Sequence, residues 1–163
     1  MSVPRVVLDT NVCLDLLLFG DPRCAVLRSA LAGGAVHAIS DAECRDEWLR
    51  VLGYPQLHLD DERRATLVQA FDELMHAMPD DATAREPVPL PRCADPDDQK
   101  FVQLAFASGA RWLVSRDRDV LALGRRTARA GWFEIVTPQA WSLAVVCESL
   151  APRNKAEPPL RSG

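Results

Sequence analysis

The chain has few of the sequence features that mark membrane, secreted or nucleotide-cofactor proteins. Its longest apolar run, residues 14–19, is interrupted by Asp15 and falls far short of the roughly 18 to 20 residues that a membrane helix needs. The N-terminal residues lead straight into a strand-like segment, without the pattern of a secretory signal. We therefore expect no contact with a membrane and a cytoplasmic location.

Glycine, histidine and cysteine are too scattered in the sequence to form motifs. The 8 glycines include no phosphate-binding loop, and no Gly-x-Ser-x-Gly segment marks a serine hydrolase. The 5 cysteines and 3 histidines lack the spacing of zinc ligands, so we expect buried thiols and structural or surface histidines. A net charge of -4 argues against a strongly basic nucleic-acid clamp. A nuclease remains possible, because four acids in one site would supply most of that charge.

What the sequence does contain is an alternation of apolar strands and amphipathic helices. Strands are predicted over residues 3–8, 35–39, 111–115 and 133–136. Helices are predicted over residues 12–19, 22–31, 41–52, 61–78, 95–109, 119–124 and 138–146, with a proline-rich loop at 79–94. This alternation predicts an α/β fold, a three-layer α/β/α sandwich around a central parallel sheet of four to five strands. We expect one domain over residues 1–150 and a disordered tail over 151–163.

Four carboxylates stand where such a fold would present a ligand site. Asp9 and Asp117 each follow a predicted strand, and ligands bind beyond the carboxyl ends of parallel strands. Glu47 and Asp98 share the apolar faces of two predicted helices. A buried acid is costly unless a positive partner meets it, and a divalent cation is such a partner. The residues therefore predict a metal site.

Each acidic position also has a purely structural interpretation. Asp9 could be a turn acid bonded to backbone N–H groups, and Glu47 could extend outwards into solvent. Asp98 belongs to a run of acids at a helix start, where acids are common, but its spacing to later apolar residues turns it inwards. Asp119 is predicted chiefly as the cap of the helix after Asp117, with an outer position in the metal site as the second possibility.

Basic residues cluster after the last acidic segment. They could track a nucleic-acid backbone, or they could form a solvated basic face. The five positions are Arg116, Arg118, Arg125, Arg126 and Arg129.

Four segments, taken in order, carry a family resemblance. They are Val6-Val7-Leu8-Asp9-Thr10-Asn11-Val12, Glu47-Trp48-Leu49-Arg50-Val51-Leu52, Asp95-Pro96-Asp97-Asp98-Gln99-Lys100-Phe101 and Leu113-Val114-Ser115-Arg116-Asp117-Arg118-Asp119. With these segments the chain resembles PIN-domain proteins over residues 3–145, and in particular the branch described as toxins of type II toxin–antitoxin systems.

The resemblance implies Mg²⁺- or Mn²⁺-dependent cleavage of RNA phosphodiesters. It implies that the metal ligands and catalytic acids are Asp9, Glu47, Asp98 and Asp117. It also implies that Asn11 and Ser115 are polar supports of the site, with Ser115 standing where the family more often has threonine. The segment between Ser40 and Glu47 is one residue longer than usual, which leaves Asp46 as the alternative to Glu47.

The resemblance further implies an RNA substrate, a small antitoxin protein as partner and a homodimer. The apolar residues Leu17, Leu18 and Phe19 are a candidate antitoxin surface. A non-catalytic PIN-like module that binds RNA or protein is the alternative, but none of the four acids is missing. A phosphatase with an aspartyl nucleophile would usually need an acid two residues after Asp9, where Asn11 stands.

Overall fold

The computed structural model describes residues 3–78 and 88–141, and within them five strands form one parallel sheet. The strands are β1 (Arg5–Leu8), β2 (His37–Ile39), β3 (Met75–His76), β4 (Trp112–Val114) and β5 (Glu134–Val136). Their order across the sheet is β3-β2-β1-β4-β5, so the first strand is central. Val7 is paired with Ile39 on one side and Leu113 on the other. The buried run Val6-Val7-Leu8 suits a central strand, because both of its faces are covered.

Helices connect the strands and cover the sheet. They are α1 (Thr10–Leu14), α2 (Ala25–Ala32), α3 (Ala42–Leu52), α4 (Asp61–Leu74), α5 (Gln99–Ser108), α6 (Arg118–Leu121) and α7 (Gly124–Arg129). A π-helical turn, Asp15–Phe19, follows α1, and 3₁₀ turns lie at Pro22–Cys24, Pro55–Leu57 and Pro96–Asp98. None of the helices in the described ranges is long and apolar enough to cross a membrane.

The hydrophobic core lies on both faces of the sheet, because successive side chains of a strand point to opposite faces. Val6 and Leu8 belong to one core with Trp48 of α3 and Phe71 of α4, whose rings stack at 5.4 Å. Val7 belongs to the other core, together with residues of α5. The prediction of a parallel α/β sheet flanked by helices is confirmed, with five strands.

The helix predicted over residues 61–78 is wrong in its last turn. It ends at Leu74, because Met75 takes an extended conformation (φ -87°, ψ 144°). Met75 and His76 then pair with Ala38 and Ile39 as the edge strand β3.

The helix predicted over residues 12–19 starts earlier and changes its winding part-way. It begins at Thr10, and a π-helical turn continues it from Asp15. Leu17 and Leu18 are half-buried against the core, and only Phe19 is well exposed, at 59%. The candidate antitoxin surface is therefore wrong for the two leucines.

Three further predictions differ from the structure in detail or fall outside it. Helix α3 begins one residue later than predicted, because Asp41 is its cap: the Asp41 carboxylate accepts a hydrogen bond from the Cys44 N–H at 2.9 Å. Helix α7 follows α6 where no helix was expected. The predicted tail, most of the helix at 138–146 and Cys147 lie outside the described residues, while Cys13, Cys24, Cys44 and Cys93 are free and buried as expected.

Candidate metal centre

Three carboxylates from distant parts of the chain meet at the carboxyl edge of the sheet. Asp9 follows β1, Glu47 lies in the middle of α3, and Asp98 ends the 3₁₀ turn before α5. One oxygen of each lies within 4.8 Å of the others. Asp9 and Asp98 are buried, and Glu47 is half-buried. Three of the four acids named from the sequence are thus brought together.

Asp9 is fixed by the strand beside it. Its backbone N–H donates to the carbonyl of Val114 at 2.9 Å, which continues the pairing of β1 with β4. Its carboxylate accepts a hydrogen bond from the buried Ser115 hydroxyl at 2.6 Å. Asp9 is at the N-cap position of α1 but makes no side-chain cap bond, because its carboxylate is turned to Ser115. Ser115 therefore supports Asp9 directly.

Asp117 lies at the rim of this cluster. It lines the same cavity of about 370 Å³ as the three acids, although none of its oxygens belongs to the group within 4.8 Å. Its backbone N–H donates to the Ser115 hydroxyl at 2.9 Å, and its carboxylate accepts from the Asp119 N–H at 2.8 Å. Asp117, and not Asp119 as predicted, therefore caps α6. Asn11 lines the cavity too, and its side-chain oxygen accepts the backbone N–H of Arg116 at 3.3 Å.

Glu47 and its neighbour Asp46 differ in direction. Glu47 enters the cluster, whereas Asp46 is exposed. One Glu47 oxygen, Oε1, forms an ion pair with the buried ammonium of Lys100 and lies 3.9 Å from Arg50. Lys100 also donates to the Asp97 carbonyl. It thereby joins Glu47 to the turn that carries Asp98.

Sequence reasoning missed Lys100 and a second ion pair, in which buried Asp15 binds exposed Arg116. Asp15 is 4% exposed and accepts from the Nε of Arg116 at 2.6 Å and from its Nη2 at 3.2 Å. A signal existed for both pairs. Asp15 interrupts an apolar run, and Lys100 precedes Phe101 and Val102 on a buried helix face, so each needed a partner.

A family model described as PIN domain matches residues 5–119 of the chain. The chain belongs to the PIN-domain family. The matched range begins at β1, ends in α6 and includes all four candidate acids. No curated protein and no solved structure matches the chain significantly. PIN domains are generally nucleases that use divalent metal ions, so membership supports a hydrolase acting on nucleic acid.

The electrostatics of this PIN domain fit a divalent cation at the cluster. The pKa of Asp9 is raised to about 6, chiefly by burial; the hydrogen bond from Ser115 opposes this rise, and the charges of Glu47 and Asp117 add to it. Burial, followed by the charges of Asp9 and Asp117, raises the pKa of Asp98 to about 7. A cation would stabilise the ionised form of both groups. Carboxylate oxygens are the ligands that Mg²⁺ and Mn²⁺ prefer, so the donor set is suitable.

Proposed function

We propose that this PIN domain is a Mg²⁺- or Mn²⁺-dependent endoribonuclease. The observation that carries the proposal is the meeting of Asp9, Glu47 and Asp98 within 4.8 Å at the carboxyl edge of a parallel sheet. Holding three carboxylates this close together in a folded protein is energetically costly unless a cation pairs with them. Lys100 offsets one of these charges, and a divalent ion would match the remaining two.

Each residue of the site has a part in the proposal. Asp9, Glu47 and Asp98 would hold the ion, with Asp117 as the fourth acid at the rim. A bound divalent ion supplies Lewis-acid activation of water and of the phosphoryl group. Ser115 orients Asp9, Asn11 fixes the backbone before Asp117, and Asp119 lies outside the donor set. Lys100 contacts one oxygen of Glu47, Oε1, and the second oxygen, Oε2, is the one that would bind the ion.

The biological setting is part of the same proposal. We infer that the protein is the toxin of a type II toxin–antitoxin pair, acts in the cytoplasm as a homodimer and is blocked by a small antitoxin. The nuclease domain would span residues 1–150, followed by the tail at 151–163. The family resemblance supports this setting. A non-catalytic PIN-like module is the alternative, and the presence of all four acids disfavours it.

RNA cleavage tests the proposal. Wild type is incubated with a panel of single-stranded and structured RNAs in Mg²⁺, Mn²⁺ or EDTA, beside Asp9→Asn, Asp98→Asn and the control Asp46→Asn. We expect RNA cleavage only when metal is present. The rate constant of cleavage should fall at least about a hundredfold in Asp9→Asn and Asp98→Asn, since each removes a metal ligand. Asp46→Asn should cleave RNA at the wild-type rate. Thermal unfolding checks that every variant is folded.

The outcomes separate the two functions. Cutting that survives in EDTA, or in both Asp9→Asn and Asp98→Asn, contradicts a metal-dependent acidic centre. RNA binding without cutting by wild type in either metal favours the non-catalytic module.

A further inference from the structure

A second cavity has two arginines and further polar side chains in its lining. Its volume is about 300 Å³. Its lining consists of Asp15, Arg23, Arg116, Thr137, Pro138 and Gln139. Asp15 begins the π-helical turn after β1 and α1, Arg116 follows β4, and the last three follow β5. The cavity therefore opens at the same carboxyl edge of the sheet as the acids.

Two guanidinium groups in this cavity are held in the same way. Asp15 binds Arg116 through Nε and Nη2, at 2.6 and 3.2 Å. Asp21 binds Arg23 through Nε and Nη2, at 3.2 and 2.7 Å. Each carboxylate covers one edge of its guanidinium. The Nη1 group of each arginine makes no hydrogen bond or ion pair with the residues that the structure describes, so the other edge is available.

The two ion pairs form one rigid unit. The N–H of Asp21 donates to the carbonyl of Asp15 at 2.9 Å, and Gly20, at φ 60°, allows the chain to turn between them. The Asp21 N–H and carboxylate thus tie the Arg23 pair to the Asp15 pair. Asp15 itself is buried within a π-helical turn, a rare winding that is frequent at functional sites.

Arg116 also connects this cavity to the acidic one. Its backbone N–H donates to the side chain of Asn11, which lines the acidic cavity. Its neighbours in the chain are Ser115, which holds Asp9, and Asp117, which lies at the acidic rim. The backbone of Arg116 is therefore anchored at the acidic cavity, while its guanidinium lies in the second cavity.

We infer that this second cavity, through Arg23 and Arg116, binds a phosphate of the RNA chain next to the phosphate that is cut. This inference rests on the proposed function. An arginine fork matches the oxygens of a phosphate in two parallel hydrogen bonds. Both forks are already ordered by their aspartates, so binding costs little side-chain entropy. Thr137 and Gln139 add polar groups to the same wall. Free phosphate and mononucleotides share this chemistry, and the experiment distinguishes them from RNA.

The test measures binding of a short fluorescent single-stranded RNA by anisotropy, with every variant built on Asp98→Asn so that the RNA stays intact. Arg23→Gln removes one fork. Arg116→Lys removes the other but leaves a charge against buried Asp15. Arg45→Gln is the matched control, because Asp72 holds Arg45 through Nε and Nη2 in the same way, at 2.8 Å, on an exposed surface.

We expect the RNA dissociation constant to rise about tenfold in Arg23→Gln and Arg116→Lys, because each loses a charged bidentate contact. The slope of log Kd against log salt should fall by about 0.7 in each. Arg45→Gln should bind as the parent does. Inorganic phosphate and a mononucleotide, added as competitors, should weaken RNA binding in the parent and less in Arg23→Gln.

Three results would each overturn the inference. One is equal RNA binding by Arg23→Gln, Arg116→Lys and Arg45→Gln. Another is that Arg23→Gln weakens the binding of phosphate or mononucleotide but leaves RNA binding unchanged. The cavity would then be a site for small anions. Cleavage is then measured with Asp98 present. If wild type cleaves RNA and Arg23→Gln does so with the same KM, the phosphate site is refuted and the proposed nuclease function still stands. Absence of cleavage together with weaker RNA binding by Arg23→Gln refutes the nuclease and leaves the phosphate site standing.

Discussion

Asp98 makes the stability of the metal-free protein depend on pH. Its pKa is about 7 in the folded chain and 3.8 ordinarily, chiefly because of burial. The folded state therefore holds this proton more tightly than the unfolded state, and the free energy of unfolding falls as pH rises from about 4 to 7. Asp98→Asn carries no charge and should escape this loss.

We expect Asp98→Asn in EDTA to be more stable than wild type by about 2 kcal/mol at pH 8, since solvent in the cavity screens part of the shift. The difference should be small at pH 5. Urea unfolding at both pH values measures it, with exposed Asp46→Asn as the control. Equal stability of wild type and Asp98→Asn at pH 8 would contradict the burial of a charged Asp98.

Single residues of the site were predictable to different degrees. Asp9, Glu47 and Asp98 could be found because an acid on an apolar face or at the end of a buried strand conflicts with its surroundings. The partner of Glu47 could not be found, because Lys100 is 53 positions away, and neither could the partner of Asp15, because Arg116 is 101 positions away. Sequence periodicity contains no information on contacts between elements so far apart.

Helices α3 and α5 are joined by the ion pair of Lys100 with Glu47. The Lys100 side chain is 9% exposed and the Glu47 side chain 13%. Removing one charge therefore leaves the other unpaired and poorly solvated. We expect Lys100→Met to lower the free energy of unfolding by about 3 kcal/mol. Urea unfolding at pH 7 in EDTA measures the loss.

A charge-matched set of variants gives the control. Lys100→Arg should recover part of the loss, and the double variant Glu47→Gln with Lys100→Met should recover most of it, since no charge is then left unpaired. If the double variant is as unstable as Lys100→Met alone, the loss comes from packing and the ion pair does not link the helices.

Some elements were predictable from local sequence and others were set by tertiary pairing. The strands β1, β2, β4 and β5 coincide with apolar runs. β3 is only Met75 and His76, and nothing local distinguishes them from the end of α4. They become a strand because β2 offers an unpaired edge. The π-helical turn begins at Asp15, whose contact with Arg116 is made only in the folded chain.

The whole molecule has a net charge of -4 and a single cluster of three acids among the residues described, and the toxicity that we propose would depend on that cluster. We expect expression of the chain alone to arrest bacterial growth and Asp98→Asn to be harmless at equal protein level. Growth curves with immunoblots measure this. Equal arrest by both proteins would show that toxicity does not come from the acidic centre, and no arrest by wild type would argue against a toxin.

The fold class of the whole molecule followed from the alternation of strands and helices, whereas the order of strands did not. Parallel strands can be arranged in several orders, and local sequence does not choose between them. The central place of β1 is set by which side chains cover its two faces, a property of the assembled core. The edge of the sheet at which the acids meet could be predicted from the sequence, but the distances between their carboxylate oxygens could not.

The central position of β1 has a consequence for the chain during its synthesis. Asp98 is added 89 residues after Asp9, which takes about 4 to 18 s at usual rates of translation. Strand β4 pairs with β1, and the carbonyl of its Val114 accepts the backbone N–H of Asp9; this strand is added later still. If the chain is the toxin that we propose, it would be harmless to its own ribosome and message for several seconds. Fragments that stop before residue 98 should be harmless on expression, and the proposed antitoxin would have that interval in which to bind.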